Sequence, residues 1–137
     1  MEKDNFGYEF SLDVVNNTKV NGMLAVAQVI QNLCLIEPGT YPSDPNLGIG
    51  IENEQFELYD DNYLVDLKNR IDEQIEKYVP NQYYVTTELN AKNISANDNR
   101  KVLCISVFIG NDNKTVREYR ILFMRNEIGK LISKVML

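Results

Sequence analysis

The sequence predicts an α+β fold, in which two main helices pack on a three-stranded, mostly antiparallel sheet. Apolar residues recur at helical spacing in two segments of the first half of the chain. In the second half they alternate with polar residues or form a continuous run, as strands do. We expect a single domain over residues 1–125, with an extended N-terminal arm at 1–16 and an apolar C-terminal tail at 126–137.

Composition limits the classes of function. The 137 residues suit one domain, and the 44% of apolar and 25% of charged residues are typical of a soluble globular protein. The net charge of −6 argues against nucleic-acid binding, which needs a basic surface. The chain contains no histidine, which excludes Ser-His-Asp and Cys-His catalysis within one chain. We expect no catalysis, no metal and no cofactor.

Neither a membrane span nor a secretory signal is expected. The longest apolar run is far shorter than the ~20 residues that a span needs. The N-terminal sequence MEKDNFGYEF is acidic and polar, unlike a secretory signal. Cys34 and Cys104 lie in apolar patterns on different predicted elements, which favours two buried thiols, with a disulfide as the alternative. This pattern agrees with a cytosolic compartment.

The first half of the chain is predicted to hold an arm and a helix. Phe6, Tyr8, Phe10 and Leu12 alternate with mostly polar residues, which predicts an extended arm. Apolar residues then follow helical spacing over residues 18–36, up to a proline and a glycine that end the helix. The apolar stripe is wide, so we expect this helix to be covered on more than one side.

A second helix is predicted before residue 80. The segment 51–59 is short and amphipathic, and the sequence does not distinguish helix from strand there. The polar residues 60–62 offer caps for the helix that follows. Its narrow apolar stripe consists of Leu64, Leu67, Ile71, Ile75 and Tyr78. Pro80 ends it.

Three strands are predicted in the second half. Alternation over residues 83–91 indicates the first strand, and the nearly continuous apolar run at 102–109 suits a central strand covered on both faces. Turn residues at 110–114 predict a hairpin loop. Residues 115–124 are expected to return as the third strand.

The segment between the two helices is the most distinctive part of the chain. We call Ile36–Ile51, with the sequence IEPGTYPSDPNLGIGI, the connector. Its prolines fix φ and remove backbone donors, and its glycines allow positive φ. These residues are Pro38, Pro42 and Pro45, and Gly39, Gly48 and Gly50. We therefore expect an ordered but irregular loop that is too rigid to serve as a flexible linker.

The C-terminal tail is unusually apolar for a chain end. Its last seven residues are LISKVML, whereas chain ends usually fray in water. Such an end must dock either on its own domain or on a partner, and the sequence leaves both open. Leu131, Val135 and Leu137 are the candidate docking residues of this tail.

The order of motifs resembles that of a known family. A helix ends in a Pro-Gly turn, and a proline-punctuated loop closes with the Pro-x-x-Gly-x-Gly motif of Pro45, Gly48 and Gly50. A second amphipathic helix ends in an aromatic-x-Pro motif at Tyr78 and Pro80, and strands follow. This layout, over roughly residues 8–125, is similar to the baseplate wedge or sheath-initiator family of contractile phage tails and type VI secretion baseplates, often labelled lysozyme-like.

The resemblance implies a structural function. Such a subunit would join the wedge to the tube-proximal baseplate, with six copies around the tail, and would initiate sheath assembly by offering a sheet edge. Its partners would be tail sheath protein, other wedge subunits and possibly the tail tube, in a virion baseplate assembled in the host cytoplasm. Thr40, Tyr41, Val79 and Asn81 stand where the family usually has charged residues, so no ionic role is carried over.

The strand predicted at 115–124 is our expected partner edge. Charged side chains often guard an exposed strand edge before a partner binds, and Arg117, Glu118 and Arg120 are of this kind. Together with Tyr119 they are the candidate partner-binding residues of the sheet. A strand added to this edge would pair with its unpaired backbone groups.

Two other functions are compatible with the sequence. A lysozyme-like, peptidoglycan-degrading glycosidase needs two carboxylates, and one of them needs a raised pKa. The candidates are Glu37, Glu52, Glu54, Glu57, Asp60 and Asp61. Glu37 is the best single acid, but solvated faces and helix caps account for such residues more simply. A calcium module would use residues 97–99 or 111–113, whose Asn-Asp-Asn runs are also ordinary turn sequences.

Overall fold

The structure is a computed structural model, and it describes residues 19–54, 56, 60–95, 98–111, 115–126 and 128–137. The arm predicted at 1–16 lies outside these residues. Two helices precede a four-stranded sheet: α1 (Lys19–Leu35), α2 (Asp61–Tyr78), β1 (Tyr84–Ser95), β2 (Asp98–Gly110), β3 (Val116–Arg125) and β4 (Leu131–Met136). A single 3-10 turn, Ile51–Asn53, lies between the helices.

The sheet is antiparallel throughout, in the order β1-β2-β3-β4. The predicted α+β class is therefore confirmed, but the predicted count of three strands is wrong. The fourth strand forms from the segment expected to be a tail. A tight turn causes this: Asn126 Oδ1 accepts hydrogen bonds from the N–H groups of Ile128 and Lys130, and Gly129 has a φ of 82°.

The inner face of the sheet carries the core. Residues of odd number point to this face, and the strand registers bring them into rows such as Leu89–Ile105–Ile121–Val135. Ile105 and Ile121 are fully buried in the middle of their row. Most side chains on the opposite face are exposed or partly exposed, although Cys104 and Ser106 of the inner strand β2 are buried there. The sheet is therefore covered mainly on one side.

The two helices divide the inner face between them. Helix α1 contacts β2, β3 and β4, whereas α2 contacts β1. Buried residues of α1 surround most of its axis, as the wide apolar stripe predicts: Met23, Ala25, Val26, Ala27, Val29, Ile30, Leu33 and Cys34. In α2 only Leu67, Ile71, Ile75 and Tyr78 are buried, which confirms the narrow stripe. Helix α1 is thus the central element of the core.

Helix α2 begins as the sequence indicates. The side chain of Asp60 accepts a hydrogen bond of 2.7 Å from the backbone N–H of Tyr63, so Asp60 is the N-cap. The segment that the sequence left open, 51–59, begins with the 3-10 turn, and Phe56 is fully buried beneath it. Residues 55 and 57–59 lie outside the described part of the chain.

Candidate functional site

The connector is tied by its backbone to the end of α1. The N–H of Ile49 donates to the carbonyl of Leu33 at 2.9 Å, and the N–H of Gly50 donates to the carbonyl of Ile36 at 2.8 Å. Leu47, Ile49 and Ile51 are buried in the core cluster. The returning half of the connector therefore packs as part of the domain core, as expected for a loop that is ordered and irregular.

Gln74 of α2 binds the connector with both ends of its amide. Its Oε1 accepts from the N–H of Gly48 at 2.8 Å, and its Nε2 donates to the carbonyl of Asn46 at 2.9 Å. One side chain thus satisfies two backbone groups that no regular element pairs. Nothing in the helical periodicity of α2 distinguishes Gln74 from the other polar residues of the helix, so its role was not predicted from the sequence.

A second link joins the connector to the end of α2. The hydroxyl of Tyr78 donates to Asp44 Oδ1 at 2.8 Å, and Lys77 Nζ lies 3.9 Å from the same oxygen. Burial raises the pKa of Tyr78, and its hydrogen bond to Asp44 raises this pKa further. The tyrosine therefore stays a hydrogen-bond donor at neutral pH, which fixes the loop against the helix end.

Two glycines of the connector differ in how strongly they are required. Gly48 has a φ of 106°, and a Cβ built there would lie 2.1 Å from the carbonyl oxygen of Ile36. That position requires glycine for both conformation and space. Gly39 has a φ of 90°, but a Cβ there would meet nothing within 4 Å.

The outward half of the connector forms an exposed tip over residues 37–43. Pro38, Gly39 and Pro42 lie on this tip, and Pro45 is also exposed. Gly48 and Gly50, by contrast, are buried beneath it. The remaining residue of the predicted structural set, Pro80, lies beyond the end of α2 and is only partly buried. The predicted proline and glycine residues of the connector thus lie in one ordered loop with an exposed and a buried half, and Pro80 lies outside this loop.

The predicted partner edge is wrong for most of its length. Strand β4 pairs with Arg120–Arg125, so β3 has neighbours on both sides there. Because residues 126–137 were expected to be a tail and not a strand, the predicted edge of the sheet lies one strand too early. Tail residues Leu131 and Val135 pack against the protein's own core, whereas Leu137 is 78% exposed.

The four candidate partner residues of β3 lie in different environments. Tyr119 is buried in the core, and Glu118 and Arg120 form an exposed ion pair with a distance of 3.3 Å. Arg117 faces inward, in register with Ile109, and its Nε is buried without a hydrogen-bond partner. The register of β4 does not extend to Val116–Tyr119. These residues do not form one continuous exposed edge.

Among the described residues, β1 pairs only with β2, so its other side is an unpaired strand edge. A groove lies beside this edge. A cavity of about 550 Å³ lies between α2 and the beginning of β1. It is lined by Lys68, Asp72, Ile75, Glu76, Val79, Pro80, Asn81, Tyr83, Tyr84, Val85, Thr86 and Thr87. The helical and strand periodicities place these residues on their elements, but only the packing of α2 on β1 brings them together.

The helical wall of this groove carries a row of charges. Lys68 and Asp72 form a salt bridge of 2.6 Å, and Thr87 Oγ1 donates to Asp72 Oδ1 at 2.6 Å. Thr87 is one of two buried polar residues of the described core, and this bond satisfies its hydroxyl. Glu76 follows one helical turn later and is exposed. Asp72 thus connects the helix to the strand.

The carboxylates considered for glycosidase chemistry are distributed over caps and ion pairs. Glu37 is exposed and accepts a hydrogen bond of 3.0 Å from Asn53 Nδ2. Glu54 Oε1 accepts from Arg70 at 2.5 Å and from the Tyr63 hydroxyl at 3.2 Å. Asp60 is the cap of α2 described above. Glu57 lies outside the described residues, and the glycosidase alternative stays a prediction.

Cysteine and metal chemistry were also considered. Cys34 and Cys104 are free and buried, and burial raises the pKa of the Cys34 thiol to about 12, so the thiol stays protonated. Within the residues that the structure describes, no three Cys, Asp or Glu side chains are grouped closely enough to hold a metal ion. Residues 97, 112 and 113, which are part of the calcium alternative, lie outside the described ranges.

No helix among the described residues is sufficiently long and apolar to cross a membrane. Comparison of the chain with family models, with curated proteins and with solved structures found no match. The resemblance to baseplate wedge proteins therefore stays a prediction, carried by the order of motifs around the connector.

Proposed function

We propose that this chain is a structural subunit of a contractile-tail baseplate, which joins the wedge to the tube-proximal baseplate and initiates sheath assembly by offering a sheet edge. The observation that carries the proposal is the position of β1. This strand of 12 residues pairs with β2 on one side, and no described residue pairs with it on the other.

The physical basis of this function is strand addition. Backbone N–H and C=O groups at an edge can pair with any extended chain, and side-chain pockets then select among partners. Strand β1 spans about 40 Å at ~3.3 Å per residue, which is long enough for an extended partner segment. The groove beside it supplies side-chain contacts along Tyr84–Thr87.

Strand β4 is the other margin of the described sheet, and it supports the proposal less well. It has six residues, half the length of β1. We therefore place the partner edge on β1 and replace the earlier preference for β3. The proposed partners remain sheath protein, other wedge subunits and possibly the tail tube, in six copies around the tail.

The experiment is an affinity pull-down of the tagged protein from cells that produce its native particle, followed by mass spectrometry. Sheath and wedge proteins in the eluate are the expected result. Recovery without structural partners, or with cell-wall fragments only, contradicts the proposal. Hydrolysis of cell wall that is lost on Glu37→Gln would support the glycosidase alternative instead.

Edge variants test whether β1 is the contact. Neighbouring residues of an edge strand point their N–H groups alternately toward the sheet and away from it. One of the two variants Val85→Pro and Thr86→Pro therefore removes an N–H group from the open edge, and the other removes an N–H group that bonds to β2. The edge variant is recognised by its wild-type Tm, because its pairing with β2 is intact. This variant should no longer capture sheath protein, and normal capture would exclude β1 as the partner edge.

A further inference from the structure

We infer that the N-terminal arm, residues 1–16, docks on the outer face of the sheet, which is the face opposite the two helices, and covers an apolar patch there. Such coverage goes beyond the proposed function and does not depend on strand addition at β1. It is supported by the patch itself, by the burial of small side chains on this face, by charge, and by the place where α1 begins.

The outer face carries a continuous apolar patch on strands β2, β3 and β4. Residues of even number point to this face, and the registers place Val102, Met124 and Ile132 in one row. Cys104 and Leu122 form the next row. Leu122 and Met124 are only partly buried, and Ile132 is 44% exposed. We call these five residues the outer patch, and contiguous apolar surface of this kind usually marks a docking site.

Two small side chains on the outer face are more buried than the described elements explain. Cys104 is 8% exposed and Ser106 is 9% exposed. Both helices pack on the inner face, and no other helix or strand among the described residues lies over the outer one. Larger neighbours shade a small side chain only in part. A further segment of chain over these residues accounts for their burial more fully.

The arm has the apolar pattern that suits this face. Phe6, Tyr8, Phe10 and Leu12 alternate with mostly polar residues, so an extended arm presents all four on one side. Three of the four are aromatic, and aromatic side chains bury large apolar areas when they are covered. Docking this side of the arm on the outer patch removes apolar surface of both from water.

Charge at the border of the patch favours the same occupant. Lys92 lies opposite Val102, and Lys134 lies opposite Leu122, so each row of the patch ends at a lysine. The arm has four acidic residues and one lysine, which is a net side-chain charge of −3. The two lysines attract an acidic arm, whereas they repel the same lysine-bordered face of a second copy.

Helix α1 begins at a place from which the arm can reach the patch. A Cβ built at Gly22 would lie 2.8 Å from the hydroxyl oxygen of Tyr83, so α1 begins near the end of the sheet where β1 begins. Strand β1 begins opposite Gly110, and Cys104 lies six residues further along β2, about 20 Å away. The path from the helix layer around the sheet takes about 20 Å more, at ~10 Å per layer. The 18 residues before α1 span up to about 60 Å, which exceeds this path.

The two cysteines make this coverage measurable in the full-length protein. Cys104 lies in the outer patch, whereas Cys34 is buried in α1 and stays protonated. A maleimide reagent labels accessible thiols, and mass spectrometry of the peptides gives the labelling rate of each cysteine. We expect slow labelling of Cys104, because the arm must leave before the reagent can reach the thiol. Cys34 reports on opening of the core and is the internal control.

Phe10→Asp should accelerate the labelling of Cys104 at least about tenfold, because a charge replaces an apolar ring that docks on the patch. Ser11→Asp is the matched control: it introduces the same side chain at the neighbouring position, which faces away from the patch in an extended arm. It should leave the rate nearly unchanged. Equal rates in wild type and Phe10→Asp would overturn the inference, and so would equal acceleration in the two variants.

Lys134→Glu tests the charge at the border of the patch. It should accelerate the labelling of Cys104 about threefold, because an attraction to the acidic arm becomes a repulsion. A negative charge near a thiol disfavours the reactive thiolate, so an increase in rate reports uncovering. Lys130→Glu makes the same charge change in the turn before β4, outside the patch, and should have little effect. No acceleration in Lys134→Glu, or the same acceleration in both, would overturn the contribution of charge.

The remaining outcomes concern the source of the covering segment. A rate at Cys104 that is the same at all protein concentrations supports coverage by the protein's own arm. A rate that rises on dilution would assign the arm to a second copy and overturn the inference. Cys34 accelerating together with Cys104 in Phe10→Asp would show that the arm belongs to the core, which also overturns it. None of these results bears on the capture of sheath protein by β1, so the proposed function is tested separately.

Discussion

The connector and strand β1 are both exposed to solvent along part of their length, but they differ in how their backbone groups are hydrogen-bonded. In the connector, irregular backbone is paired within the molecule: Gly48 donates to Gln74, and Ile49 and Gly50 donate to carbonyls of the α1 end. In β1, one side pairs with β2, and the other has no described strand beside it. The backbone of the connector is thus hydrogen-bonded within the molecule, whereas the edge of β1 could be hydrogen-bonded by a strand from a partner.

This difference predicts where substitutions should affect stability and where they should affect partner binding. Each bond of the irregular connector involves a particular residue, so a single substitution leaves a group unpaired or strained. A strand edge is regular, and any extended chain can complete it. Substitutions in the connector should therefore lower stability, whereas substitutions at the β1 edge should lower partner binding and leave the fold intact.

Gly48→Ala should have the largest effect on stability. The positive φ and the collision of the new Cβ with the carbonyl of Ile36 should together lower the free energy of unfolding by about 4 kcal/mol. Gly39→Ala, where φ is also positive but space is open, should lower it by only about 1 kcal/mol. Urea denaturation measures both. Equal losses would mean that conformation alone, and not the tight packing of the connector, sets the requirement for glycine.

Alkaline pH should weaken the core of α1 beside the connector. The pKa of Cys34 is raised from 9.0 to about 12 by burial, so above pH 9.0 the unfolded thiol ionises while the folded thiol stays protonated. Stability is then lost as pH rises, by roughly 3 kcal/mol between about pH 8 and about pH 11. Cys34→Ala should remove this part of the pH dependence. The free energy of unfolding of both proteins is measured by urea denaturation over this pH range. The same decrease with pH in wild type and variant would contradict the prediction.

Gln74→Ala tests the link between the connector and α2. Loss of the amide leaves Gly48 N–H and the Asn46 carbonyl without their partner, which should cost about 2 kcal/mol. Gln74→Glu keeps an acceptor for Gly48, but its second carboxylate oxygen would face the carbonyl oxygen of Asn46 and repel it, so it should cost at least as much as Gln74→Ala. Thermal and urea unfolding rank the two variants. If both are as stable as wild type, the connector is held by apolar packing alone.

Tyr84→Ser tests the open edge and should have the smallest effect on stability. The Tyr84 side chain is mostly exposed, so its replacement should change the free energy of unfolding by less than about 0.5 kcal/mol. Capture of sheath protein in the pull-down should nevertheless fall, because Tyr84 lines the groove. Val65→Ser, on an exposed position of α2 outside the groove, is the control and should leave capture unchanged. A comparable loss in both variants would contradict a specific role for the groove.

Much of the fold follows from local pattern. The predicted helix at 18–36 and the observed Lys19–Leu35 nearly coincide, and Asp60 caps α2 as its position indicates. The strand predicted at 115–124 is observed as Val116–Arg125. These predictions succeed because periodicity and capping depend on residues close together in the chain.

The candidate site was predictable only in part. The connector was identified from its prolines and glycines, but Gln74, which binds it, is an ordinary polar residue of a helix. The fourth strand was missed because Leu131–Met136 is short, and its pairing with β3 depends on the turn before it. Without the fourth strand, β3 is expected to be an edge strand, and the sequence gives no indication of the groove beside β1.

Local spacing and the φ preferences of proline and glycine are sufficient to predict the α+β class, the approximate extent of both helices and of three strands, and a rigid connector between the helices. Which strands lie at the edges of the sheet, and which side chains meet across elements, follows only from the folded chain. Strand order and the packing of α2 on β1 are long-range choices, set by how apolar faces cover one another and not by any single segment. The proposed partner site depends on those choices.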